Sequence, residues 1–128
     1  MSSPPPAGTI GGVQSVAFAV PVLSGQADAG RAALASCWFG ARMEAYQDAR
    51  RRAGIIREAV WIQRGPGGDV AVAYLEADDL ATAFTLLGNS AEPFDRWFRG
   101  HIRQVHGIAL EEGFTALELV LDFDTSRI

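Results

Sequence analysis

The chain has 128 residues, 48% hydrophobic and 20% charged, which suits one domain with a sizeable core and differs from a disordered composition. Fifteen acids against eleven bases leave a formal charge of −4, which argues against a nucleic-acid partner, because a phosphate-backbone binder needs a basic face. Every base is arginine, so lysine Schiff-base and lysine general-base chemistry are excluded.

Cys37 is the single cysteine. No internal disulfide and no Cys/His zinc framework can form from it, and a reducing cytoplasm is the natural compartment. The start, "MSSPPPAGTIGG" (1–12), lacks a basic stretch followed by an apolar one, so it reads as a flexible arm rather than a signal peptide, leaving a single domain over 13–128. No apolar run approaches the ~18–20 residues that span a bilayer, so a soluble protein with no membrane partner is expected.

The first element is a strand over 13–23. Val16, Phe18, Val20 and Val22 share one face; Ser15, Ala17 and Ala19 share the other. From about Gln26 to Ala53 the period becomes helical through Leu34, Cys37, Trp38, Ala41 and Ala45, with Gly54 past the end and Gly40 as a place to bend. Arg50, Arg51 and Arg52 read as a solvated basic end that complements the helix dipole. "IIREAVWIQR" (55–64) and "DVAVAYLEA" (69–77) flank "GPGG" and predict an antiparallel hairpin. The glycines do not make a phosphate loop, since no helix and no Lys-Ser/Thr pair follow.

Asp78 or Asp79 should cap a short helix ending at Gly88. Ser90 and Pro93 then open another. "ALELVLDF" (116–123) alternates Leu117, Leu119, Leu121 and Phe123 against Glu118, Val120 and Asp122, predicting a fourth strand.

The order is βαββαβ with the second helix split in two. It predicts an α+β, ferredoxin-like fold with a four-stranded antiparallel sheet and helices on one face. Val70, Val72 and Tyr74 oppose Ala71, Ala73 and Leu75, while Val60 and Ile62 oppose Ala59 and Trp61. Neither face is polar enough for water, so a second copy of the chain is expected to cover the outer one, giving a homodimer.

The segments "AYLEADDLATAF" (73–84), "SAEPFDRWFRGH" (90–101) and "LELVLDFD" (117–124) resemble small bacterial proteins of the dimeric α/β-barrel superfamily. The resemblance spans roughly residues 15–125. It implies two ferredoxin-like sheets packed face to face, with ligands bound between sheet and helices. That superfamily includes cofactor-free quinone-forming monooxygenases, polyketide cyclases, muconolactone-type isomerases and haem-binding enzymes, so the fold does not choose a chemistry.

The densest cluster of chemistry lies in "EPFDRWFRGHIRQVHG" (92–107). On a helix, Phe94, Trp97, Phe98, His101, Ile102 and Val105 form one apolar stripe. Asp95 and Arg99 are spaced for an exposed i,i+4 ion pair, worth only ~0.3–0.5 kcal/mol. His101 sits within the stripe, either as a core histidine bonded to a backbone carbonyl or as a pocket-lining acid/base. His106, beside Gly107, reads as a cation at the helix end.

Trp38, Trp61 and Tyr74, with Phe94, Trp97 and Phe98, are the candidate pocket wall. Cys37 reads as an inert packing thiol, and the acid pairs Asp78–Asp79 and Glu111–Glu112 as turn residues. No metal-ligand spacing appears, no cofactor is expected, and haem would need His101 or His106 as an axial ligand.

Two functions follow. One is a homodimeric protein binding an apolar or aromatic small molecule without catalysis. The other is a cofactor-independent monooxygenase, cyclase or isomerase acting on an aromatic or polyketide-like compound through His101.

Overall fold

A computed structural model describes residues 12–113 and 117–127. Strand β1 (Gln14–Val22) leads into helices α1 (Ala27–Phe39) and α2 (Met43–Arg52). The hairpin β2 (Ile55–Gln63) and β3 (Asp69–Ala77) follows, then helices α3 (Leu80–Asn89) and α4 (Pro93–His106). Short 3-10 turns cover Leu110–Glu112 and Thr125–Arg127. The N-terminal arm expected over 1–12 lies, apart from Gly12, outside the described residues.

The sheet has three antiparallel strands in the order β1-β3-β2. The pairing of Val16 with Leu75 and of Phe18 with Ala73 puts the bulky face of β1 beside Leu75 and Ala71 of β3. Glu58, Val60 and Ile62 of β2 join that face opposite Leu75, Ala73 and Ala71. Helices cover it. Ile55, Leu75 and Ala77 pack with Ala83 and Leu87 of α3, and Val22 and Ala71 pack with Val105 of α4. A third cluster joins the helices to one another through Cys37, Ala49, Phe94, Phe98 and Leu110.

The expected four-stranded ferredoxin-like sheet is not formed, and the barrel of two such sheets goes with it. Ala116 lies outside the described residues, and 117–123 carry no strand. Leu117, Leu119, Val120, Leu121 and Phe123 are all exposed, Val120 and Leu121 by 86% and 83%. Alternation marks which side chains avoid water, but a strand also needs a neighbour to take its backbone hydrogen bonds. Among the described residues β1 and β2 are the sheet's edges, and residues 117–127 join neither.

The single helix expected over 26–53 is two helices. At Gly40 the chain leaves the helix with φ −119° and ψ −159°. A Cβ there would lie 2.6 Å from Ser36 Cα, so only glycine lets the chain double back this tightly. Helix α4 ends as expected, with Gly107 in the left-handed region at φ 69° and its N–H donating to the Arg103 carbonyl. Asp79, rather than Asp78, caps α3 by accepting from the Thr82 N–H at 3.1 Å.

Candidate functional site

The break at Gly40 sets α2 back toward β2, and a cleft of about 850 Å³ opens between β2, α1 and α2. Leu34, Ala35, Cys37 and Trp38 line it from α1, Tyr46 from α2, and residues 56–62 along the free edge of β2, with Arg31 beside them. Its volume lies within the ~300–1,000 Å³ typical of small-molecule sites. Trp38 and Trp61 are 72% and 56% exposed, so the cleft is open to solvent on its aromatic side.

Polar chemistry concentrates on the opposite wall. Glu58 lies on the apolar face of β2, in line with Val60 and Ile62. Its Oε1 accepts the Tyr46 hydroxyl at 2.5 Å and Arg50 Nε at 2.7 Å. Tyr46 and Arg50 are one helical turn apart on α2 and therefore present to the same strand residue. The Arg50 guanidinium stands 4.4 Å from the Phe98 ring centre and 4.8 Å from that of Tyr46.

Arg50 Nη1 and Nη2 are enclosed and have no hydrogen-bond partner among the described residues. Burial, then the Glu58 charge beside it, pushes the Tyr46 phenol up, so it is a firm donor. Burial likewise raises the Cys37 thiol, whose Sγ points at the Ala33 carbonyl.

Of the side chains named from sequence, Trp38 and Trp61 line this cleft, while Tyr74, Phe94, Trp97, Phe98 and His101 are not among its lining residues. Tyr74 stands on the outer sheet face and donates its hydroxyl to Glu76 at 2.8 Å. Phe94 and Phe98 are core. Trp97 is half-buried beneath the Arg42 guanidinium at 4.0 Å.

His101 is buried and stacks on Trp97, with ring centres 5.7 Å apart and planes 12° from parallel. Its Nε2 has no hydrogen-bond partner among the described residues, and burial, with His106 and Arg42 adding to it, lowers its pKa to about 4. It is a neutral imidazole at pH 7. The histidine that meets a backbone carbonyl is instead His106, whose Nδ1 sits 2.8 Å from the Pro21 oxygen. That makes it a buried tie between α4 and β1 in the last turn of the helix.

Two more expectations change once partners are visible. Arg50 is not a solvated helix end, because Glu58 draws it inside. Asp95 does not pair with Arg99 on the surface. It is buried and takes Arg52 Nη1 at 3.0 Å, while Arg99 donates to the Leu87 and Ser90 carbonyls.

Comparison of the chain with protein-family models, curated proteins and solved structures finds no match.

Sequence reasoning missed Tyr46, Arg50 and Glu58. The available signal was a carboxylate in the apolar row Glu58, Val60, Ile62, which a charge occupies only with a partner. Among the described residues no group of three or more His, Cys, Asp or Glu side chains could hold a metal ion, and no helix is long and apolar enough to cross a membrane.

Proposed function

We propose that this chain is a homodimeric protein that binds a small apolar or aromatic molecule in the cleft between β2, α1 and α2. The observation that carries this reading is an aromatic-walled opening backed by a buried ionic unit, Arg50–Glu58–Tyr46. A buried ion pair with two unsatisfied guanidinium nitrogens is costly, and apolar side chains would fill that space at lower cost. Such polar groups at the side of an apolar cleft suit ligand orientation.

Dimerisation is supported by the outer sheet face. Ala17, Ala19, Ala59, Trp61, Val70, Val72 and Tyr74 share it, opposite the side on which the helices pack. A second copy is the simplest cover for such a surface. The free, buried thiol of Cys37 accords with a reducing, cytoplasmic setting. An enzymatic reading through His101 has no comparable support, since His101 does not line the cleft.

The test is a titration with a panel of bicyclic aromatic compounds, followed by NMR shifts of the Trp38 indole N–H group. Saturable shifts that disappear in Leu34→Arg, which fills the cleft with a charged side chain, support the reading. No saturable shift with any member of the panel overturns it.

A further inference from the structure

Glu58 lines the cleft while its carboxylate is held by the protein through one oxygen. Oε1 is fully engaged by Tyr46 and Arg50, at 2.5 and 2.7 Å. Oε2 takes no hydrogen bond among the described residues, and it is not one of the enclosed polar atoms. Because Glu58 lines the cleft, Oε2 is the carboxylate oxygen left to accept a hydrogen bond from a molecule bound there. The protein already shows a group that fits such an oxygen, since the Tyr46 phenol O–H meets Oε1 at the short length of a charge-assisted bond.

We propose that the cleft selects neutral aromatic compounds carrying a phenolic hydroxyl, whose O–H donates to Glu58 Oε2 while the ring lies against Leu34 and Trp38 of α1. This rests on the cleft reading above and adds the chemical class of ligand.

Three observations narrow that class. The Glu58 charge is already met by Arg50, and Arg31 and Arg57 stand along the cleft, so a cationic ligand gains little. An anionic head finds no donor at this end, because Arg50 Nη1 and Nη2 are enclosed and Arg50 is not among the lining residues. A purely apolar ligand would strip water from Oε2 and return nothing, which is the penalty that makes a hydrogen-bonding site reject analogues lacking the donor. The clamp is also set in advance. With Arg50 held over Phe98 and Tyr46, Glu58 is oriented before a ligand arrives.

The experiment compares 2-naphthol with its methyl ether, 2-methoxynaphthalene, which keeps the ring and loses the donor. Binding to the full chain is followed by NMR shifts. The expected result is a preference for the naphthol of about tenfold or more, the scale of one charge-assisted hydrogen bond. Glu58→Gln should reduce that preference to about threefold or less while leaving ether binding in place.

Tyr46→Phe keeps the Arg50–Glu58 pair and should retain the preference, which protects the test if Glu58→Gln fails to fold. Equal affinity of the two compounds for the wild-type chain overturns this inference and leaves the cleft reading standing. Failure of both to bind overturns the cleft reading itself.

Discussion

Arg50 and Glu58 meet at 2.7 Å in a pair almost shut away from water, their side chains 6% and 13% exposed. One comes from the last turn of α2 and the other from β2, so the pair joins the second helix to the sheet's edge. Removing one partner leaves the other charge buried without compensation. Glu58→Leu should therefore destabilise the fold by about 3–5 kcal/mol in a denaturant melt, whereas Arg50→Met with Glu58→Leu should recover most of that loss. Equal losses in the single and double variants would show that the ion pair is not the cause.

His101 makes a pH prediction with a definite sign. Its folded pKa of about 4 lies below the ordinary 6.5, so between these values the unfolded chain binds a proton that the folded chain refuses. The His101 contribution is intact above pH 6.5, is lost as pH falls toward 4, and levels off below that. The slope should amount to on the order of 1–3 kcal/mol, and His101→Phe should remove it. Chemical melts of both proteins at several pH values check this; an unchanged slope in the variant refutes it.

At pH 7 the two histidines should behave differently on substitution. His101 Nε2 has no partner among the described residues to lose, so His101→Phe should cost less than about 1 kcal/mol. His106→Phe abandons the Pro21 carbonyl and should cost about 1–3 kcal/mol. Denaturant midpoints that rank the two variants in the reverse order would contradict the assignment.

Gly40→Ala tests the break between α1 and α2. The added Cβ would press on the Ser36 backbone, and the cost of relieving such overpacking is about 1–3 kcal/mol. The same change should weaken any cleft ligand, because α1 and α2 both line the site. A variant with wild-type stability and binding would mean that the turn adjusts freely.

The outer sheet face supplies the assembly prediction. Sedimentation equilibrium at micromolar concentration should give a dimer, and Trp61→Glu should give a folded monomer. A wild-type monomer with a normal thermal transition removes the homodimer.

The period-two rows of β1, β2 and β3 and the stripe on α4 were legible without coordinates, because alternation and helical spacing are local consequences of which side chains avoid water. So were the glycine at the end of α4 and the acidic cap of α3, which answer to backbone groups within a few residues.

What lay beyond the sequence was every question of which distant partner a residue meets. The alternation of Leu117, Leu119, Leu121 and Phe123 matches that of a strand, yet no edge receives it, since pairing belongs to two segments and periodicity to one. Asp95 reads as a surface partner for Arg99 until Arg52, 43 residues away, is seen to take it. The cleft follows the same rule. Trp38, Tyr46 and Glu58 become neighbours only because a helix breaks at Gly40 and its second half turns back onto the edge of the sheet, a contact made in space and not along the chain.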